Sequence, residues 1–458
     1  MPGIIVAKRQ GGYFCPNFEI LSIIRQLFLK ITCFFICLFL SDSIHLFAKS
    51  NFSDGGSGSG LQYPLLVRKF YEANNEKLFW FAAANDLRTE LLSQINEAAS
   101  LGLDKNKYHL AQLEKNAGYT IPDSLKLQEL DKIYTDAFIS FCKDIYEGRE
   151  INKVVSFDEL SAKNENKDDE YLLASIWSVK TRSDIDSLIN TLQPCDTYYQ
   201  TLRSELKTQI QLKDNSKTKQ LCNALNLYRW VHHFNFDKYI LINIGSTTLW
   251  YYEHDTEKLS SKIIVGKPST RTPRFAAHCE KVIFYPYWNV PRDIVGKELL
   301  PKFKRSPAAL ASLNMEVIDR KGQVVNPYSI KWSQYNKANF PYNIRQSTGC
   351  DNSLGVIKFD LTDPFSVYLH DTNAKKLFAS KLRYFSHGCI RIEKAIELGN
   401  YFLKDKIDDA YLTSCMKDQK PIETKLERSI PVFVVYSTAE VGMNGLVQYY
   451  RDIYNQIK

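Results

Sequence analysis

The feature that most constrains this chain is a change of period near Lys238. Before it, apolar residues recur at three- and four-residue spacing; after it they fall in β-branched and aromatic runs broken by Gly or polar turns. Leu87, Leu91, Ile95 and Ala98 form one apolar stripe, which Asn85 or Asp86 can cap and Gly102 can end. Leu130, Ile133, Ala137, Phe141 and Ile145 form another before Gly148. Stripes of this kind bury one face of a helix, and Trp80, Trp177 and Trp230 fit the same core reading. Residues 163–170 are charge-rich and read as a solvated loop. From Lys238 onward, 239–244, 248–252 and 262–265 read as strands, joined later by 282–284, 356–359, 367–369 and 432–436. No segment of crossover-helix length separates the first three. An antiparallel meander is therefore expected rather than a doubly wound sheet.

At 458 residues the chain can hold two domains with a substantial core. The run from Ile31 to Leu40, behind Arg25 and Lys30, is too short for a confident membrane span but suits the apolar region of an export signal. Ala48 offers one small residue for cleavage, whereas Leu46 is not small, so retention as a membrane anchor competes with removal. Either reading predicts export. The expected organisation is a signal or anchor over 1–50, a Gly/Ser linker over 51–60, a helical domain over 61–237 and a second domain over 238–458. Within the second, about 291–350 breaks the strand pattern: 293–303 and 306–312 look helical, and the rest is irregular. A long insertion of this kind serves as a lid or binding loop, unless it is a passive surface excursion.

Fifty-nine basic and 51 acidic residues leave a formal charge of +8. No basic block is interleaved with aromatics, so a nucleic-acid partner is not expected. Of ten cysteines, Cys15, Cys33 and Cys37 belong to the export region. The other seven are scattered without a C-x-x-C pair; most read as buried thiols, and any pairing is not legible. His232, His233, His254 and His278 lack ligand spacing. Cys389, His370 and His387 could supply three ligands, but no H-E-x-x-H or paired-cysteine context supports a metal. Neither metal nor cofactor is expected.

The chemistry concentrates in Tyr384-Phe385-Ser386-His387-Gly388-Cys389-Ile390-Arg391, with Tyr368-Leu369-His370-Asp371-Thr372 upstream. A cysteine becomes a nucleophile when a base or positive charge helps remove its proton. His370 ends an apolar strand-like run and so leaves a rigid edge. Cys389 closes a polar turn and precedes what reads as an opening helix at 393–398, whose dipole would favour a thiolate. Gly388 lets the backbone turn, so the Gly388 and Cys389 amides are candidates to meet a developing oxyanion. His387 is the alternative base.

H-D-T followed after a spacer by S-H-G-C-I-R resembles the signature of the L,D-transpeptidase (YkuD-type) catalytic domain. Asn352-Ser353-Leu354-Gly355, Val265-Gly266-Lys267-Pro268 and Thr272-Pro273 stand in that family's order. The resemblance runs from about Lys238 to Tyr436, and the segment from about Tyr63 resembles the helical scaffold of the large periplasmic enzymes of Gram-negative bacteria. It implies an α+β fold: a mostly helical scaffold domain, then a β-sandwich-like catalytic domain with a helical and irregular capping insertion. It implies Cys389 as nucleophile, His370 as base and the Asp371 carbonyl orienting the imidazole. Ser386 would hold the turn, Arg391 would bind a stem-peptide carboxylate or form a structural salt bridge, and Tyr368 and Asn352 would line the cleft. The implied partners are peptidoglycan stem peptides, with carbapenem-type β-lactams as inhibitors. The implied reaction releases D-alanine from a tetrapeptide donor and makes a 3→3 cross-link. Attachment of a protein to the wall, D-amino-acid exchange and hydrolysis remain open at the same site. A non-catalytic wall-binding protein would need no activated thiol. Leu225 to Trp230 runs almost directly into the first strand, leaving no room for the peptidoglycan-binding module of many large relatives.

Overall fold

The structure is a computed structural model and describes residues 60–81, 87–116, 124–149, 155–156, 162–363, 365–403, 408–416 and 419–457. The expected export region and nearly all of the Gly/Ser linker lie outside the described residues, as does the expected cap at Asn85 or Asp86. The chain divides into two compact units, residues 1–147 with 169–207, and residues 148–168 with 208–458. The helical region expected to run to 237 is thus shared between them.

The first unit is helical. Its longest helix, Ser124–Glu147, buries Leu130, Tyr134, Ala137, Phe138, Phe141, Cys142 and Ile145, with Ile133 packed at the margin. Leu87–Asn96 buries Leu87, Leu91 and Ile95, and a following 3₁₀ turn ends at Gly102 with φ +72°. Three buried carboxylates on the long helix went unforeseen. Asp131 accepts the amides of Phe79, Trp80 and Phe81 at 2.9, 2.8 and 3.1 Å. Asp136 accepts the Gln62 and Tyr63 amides, and Asp144 the Tyr108 hydroxyl. They stitch irregular chain to the helix, because a buried amide without a partner is costly. The charge-rich 163–170 is not a loop: it lies in the helix Ala162–Trp177, where Asp169 meets Lys143 at 2.8 Å.

The second unit is built on sixteen strands among the described residues. In chain order they are β1 (Val155–Ser156), β2 (Lys238–Asn243), β3 (Thr248–Glu253), β4 (Thr256–Gly266), β5 (Phe275–Phe284), β6 (Trp288–Asn289), β7 (Met315–Ile318) and β8 (Val324–Val325). There follow β9 (Asn343–Gln346), β10 (Ile357–Leu361), β11 (Leu369–His370), β12 (Tyr384–Ser386), β13 (Ile390–Ile392), β14 (Ile422–Val435), β15 (Ala439–Val441) and β16 (Val447–Tyr449). β2, β3 and β4 form the expected antiparallel meander. The sheet path then runs β5-β10-β11-β13-β4-β3-β2-β14, and β14 pairs back onto β5. One mixed sheet therefore wraps around the core and closes on itself, leaving only the short strands β1 and β12 with a single partner each. Inside lie Ile240, Ile242, Leu249, Ile263, Val265, Phe275, Val282, Ile357, Phe359, Leu369, Ile390, Ile392, Val432 and Val434. Helix Ala395–Leu403 covers this core with Ala395, Leu398 and Leu403. Helix Asn215–His233 packs Leu227, Trp230 and Val231 on the outer side chains Tyr239, Ala276, Phe433 and Val435.

The capping insertion is more ordered than expected. β6, β9, β7 and β8 form an antiparallel sheet of its own, and Val295, Leu299, Leu300, Phe303, Val317, Ile330, Trp332, Phe340 and Ile344 make its separate core. Its strands are only two to four residues long, too short to show a period in the sequence. Cys350, just past β9, is disulfide-bonded to Cys415, which corrects the reading of scattered buried thiols. Cys142 and Cys279 are buried and unpaired.

Candidate active site

The side-chain period of two sets the site. Leu369 of β11, Ile390 and Ile392 of β13, and Ile357 and Phe359 of β10 point into the core. Their neighbours Tyr368, His370, Arg391, Lys358 and Asp360 therefore face outward, with Cys389 at the head of β13. Register then aligns them: Lys358 lies opposite His370, and His370 opposite Arg391, across three adjacent strands. The Ile390 amide donates to the Tyr368 carbonyl at 3.2 Å, which sets Cys389 beside Tyr368.

His370 is buried and its Nδ1 lies 2.5 Å from the Asp371 carbonyl. A carbonyl only accepts, so Nδ1 carries the proton and Nε2 keeps its lone pair. Burial, with the charges of Arg391 and Lys358, lowers the His370 pKa to about 3 against the pull of the Asp371 carbonyl. The imidazole is neutral at physiological pH. Burial likewise raises the Cys389 thiol above its ordinary value, opposed by the Tyr368 amide and hydroxyl and by Lys358. The resting pair is thus neutral thiol and neutral imidazole. The helix expected at 393–398 forms as Ala395–Leu403, but β13 stands between its N-terminus and Cys389.

The turn is held from several directions. Ser386 Oγ donates to the Cys389 carbonyl at 2.6 Å and accepts the Gly388 amide at 3.1 Å. That occupies the Gly388 N–H, so of the two amides considered for an oxyanion the Cys389 amide is the one left. Gly388 sits at φ +123°, where a side chain is disfavoured. Thr272 Oγ1 donates to the Gly388 carbonyl at 2.7 Å and accepts the Gly266 amide at 2.9 Å. Tyr454 accepts the Thr272 amide and donates to the Gly266 carbonyl. Tyr454 does not stand out in the sequence as a site residue, because Thr272 and Gly266 are 182 and 188 residues distant, and the reach of Thr272 to Gly388 spans 116 residues.

Two sequence candidates do not sit where expected. Asn352 is fully buried: its amide donates to the Pro286 and Ser347 carbonyls, and its oxygen accepts the Leu354 amide. It pins a loop instead of lining a cleft. His387 is bonded to the insertion, with Nε2 2.7 Å from Glu298. Asp371 contributes its carbonyl to His370, while its carboxylate accepts the Val356 amide and pairs with Lys375. Gly355, at φ +60°, lies against that carboxylate with no space for a Cβ. Tyr368 neighbours Cys389 and Trp288, and its hydroxyl is raised by burial and by Cys389. Lys358, unremarkable in the sequence, lies 4.4 Å over the Tyr368 ring and 2.7 Å from Asp360. Arg391 is partly buried and its Nε has no partner. No cluster of potential metal ligands occurs among the described residues.

Residues 237–408 match the YkuD family, described as L,D-transpeptidase catalytic domain, and residues 65–206 match a family described as Scaffold domain. A Haemophilus influenzae protein, provisionally named as an L,D-transpeptidase, is 28% identical over 397 residues, covering 86% of this chain and 78% of that one. The NMR structure of an E. faecium L,D-transpeptidase catalytic domain acylated by ertapenem is 15% identical, covers 43% of this chain and 97% of that one, with a TM-score of 0.22. An L,D-transpeptidase from Mycobacterium smegmatis is 14% identical and covers 43% of this chain, with a TM-score of 0.22. The chain spans 58% of that relative's length.

Proposed function

The chain carries an L,D-transpeptidase catalytic domain of the YkuD family together with a scaffold domain, and from that premise we propose that it is an exported cysteine acyltransferase acting on peptidoglycan stem peptides. The supporting observation is the His370–Asp371 contact, which fixes the Nδ1–H tautomer and leaves Nε2 as a base on the strand beside Cys389. In the proposed reaction, Cys389 Sγ attacks the carbonyl of the third residue of a tetrapeptide stem as His370 Nε2 takes the thiol proton. The Cys389 amide meets the oxyanion. The C–N bond to the terminal D-alanine breaks, and His370 returns the proton to the departing amine. An amine on the third residue of a neighbouring stem then attacks the thioester, the S–C bond breaks and the thiol regains a proton, leaving a 3→3 cross-link. Neutral partners favour proton transfer during attack over a standing thiolate–imidazolium pair.

Arg391, partly buried beside the nucleophile with a buried, unpartnered Nε, is the group proposed to hold a stem carboxylate, since guanidinium geometry suits it. Carbapenems are proposed to acylate Cys389, as ertapenem acylates the E. faecium enzyme. Export is supported by the apolar run at 31–40 and by the Cys350–Cys415 disulfide, a bond kept in oxidising compartments. The decisive experiment compares muropeptides from cells carrying the wild-type chain and Cys389→Ala. Cross-links of the 3→3 type should depend on the thiol, and their persistence with the alanine variant would refute the reading. Protease added to cells with a permeabilised outer membrane should digest the protein; protection there would refute export.

A further inference from the structure

The insertion reaches the nucleophile's surroundings at two points. From β6, the Trp288 side chain acts on the Tyr368 hydroxyl, which neighbours Cys389. From the other side, Glu298 Oε1 lies 2.7 Å from His387 Nε2, two residues before the thiol. Glu298 belongs to a five-residue π-helical turn, Val295–Leu299, between Arg292–Ile294 and the helix Leu300–Arg305. Such turns are rare and recur at functional sites, because the extra residue re-aims the side chains around it. Here Val295 and Leu299 stay in the insertion's core, while Glu298 faces the catalytic turn. Asp293 at the head of the same segment is tied back to Lys337 at 2.7 Å, which fixes the segment on its own subdomain.

We propose that Glu298 is a positioning residue, which acts through His387 to keep the insertion closed over Cys389 while the acyl group is attached. This rests on the acyltransferase reading. An acyl-enzyme is lost when water attacks its carbonyl, the S–C bond breaks and the thiol regains its proton. A cap that excludes water during that interval leaves the thioester for the acceptor amine. The contact suits a closure that must also open. Both side chains are partly exposed, at 38% and 49%, and pairs of that kind are individually weak. Breaking this one admits the donor, while Trp288, beside Tyr368, keeps the insertion in register. His387, considered above as an alternative base, is thereby assigned to the cap.

The test uses the full chain loaded with a carbapenem, freed of excess reagent, and followed by intact mass. For Glu298→Ala the adduct should be lost several-fold faster than for the wild type, by about fivefold, the upper range for one exposed pair. Its rate of formation should be unchanged or raised, because opening is easier. Glu298→Gln keeps an oxygen that accepts the His387 proton and should restore most of the lifetime. Thermal melting of each variant should match the wild type, since Glu298 lies at the surface. Equal adduct lifetimes for Glu298→Ala and wild type would overturn the proposal. So would a Gln variant as short-lived as the Ala variant, or a loss explained by a lowered melting temperature. A wild-type chain that formed no adduct would remove the acyltransferase reading as well.

Discussion

His370 and Asp371 are consecutive in the chain, and the Asp371 carbonyl receives the His370 Nδ1 proton at 2.5 Å, while the Asp371 carboxylate faces away to the Val356 amide and Lys375. The orienting group is therefore backbone. Asp371→Asn should preserve the base, because the carbonyl survives and the amide oxygen can still accept from Val356. It should keep the rate of Cys389 acylation by a carbapenem within about tenfold, whereas His370→Gln should lower it by roughly 10²–10⁴. A comparable collapse in both variants would show that the carboxylate does the orienting.

The low His370 pKa has a stability consequence. In the folded chain the imidazole binds its proton only near pH 3, whereas in the unfolded chain it does so near its reference value of about 6.5. Between those limits the unfolded state holds more protons, so stability rises with pH there. The contribution is complete above about 6.5 and is lost as pH falls toward 3. Denaturant unfolding at pH 7 and 4.5 should show the wild type losing roughly 2–3 kcal/mol more than His370→Gln, on the order of 1.4 kcal/mol per pH unit. Equal losses would mean that the histidine is not held neutral by the fold.

Burial of Cys389 leads to a prediction about its reactivity. Its thiol is raised, so alkylation by iodoacetamide should climb with pH through the neutral range. A plateau with a midpoint below 7 would reveal a preformed ion pair instead. Peptide mapping after carbapenem treatment should place a single adduct on Cys389 and none on Cys350, which is held in a disulfide.

That disulfide spans 65 residues of sequence and joins the exit of the insertion to the segment after the helix Asp409–Thr413. Chain-entropy arguments put its worth at about 4 kcal/mol, with engineered and natural cases often lower. Cys415→Ser in a Cys389→Ala background should lower the melting temperature by several degrees. No shift would indicate that the buried cluster of Tyr285, Val356 and Leu412 beneath it holds the segment unaided.

The Thr272 hydroxyl joins Gly388 and Gly266. Thr272→Val keeps the shape and leaves a buried carbonyl and amide unsatisfied, at a cost of about 1–3 kcal/mol. Acylation should fall at least tenfold while far-ultraviolet circular dichroism stays unchanged. Normal acylation would show that the Ser386 bonds alone hold the turn.

Removing residues 326–342 as an irregular excursion would not be a clean test of a lid. Ile330, Trp332 and Phe340 from that stretch are buried in the insertion's core, so deletion would dismantle the subdomain. The sequence hid this because those side chains are spaced irregularly and pack on short strands contributed from elsewhere. A shorter perturbation at Glu298 leaves that core intact.

By itself the sequence determined the change from helical to strand period, the meander of β2 to β4, and the strand edge from which His370 emerges. Those are local properties: apolar spacing selects the element, and the element selects the face. The S-H-G-C turn and its histidine were legible because their chemistry is unusual for a core. Only tertiary structure decided the rest. Closure of β14 onto β5, the row Lys358–His370–Arg391, the grip of Thr272 on Gly388 and the reach of Glu298 to His387 join residues far apart in the chain. Pairing register, not sequence spacing, brings them together, since a one-residue slip would turn every outward side chain inward. Even the state of Cys389 was a tertiary outcome: burial raises the thiol, and β13 separates it from the N-terminus of the helix that begins at Ala395.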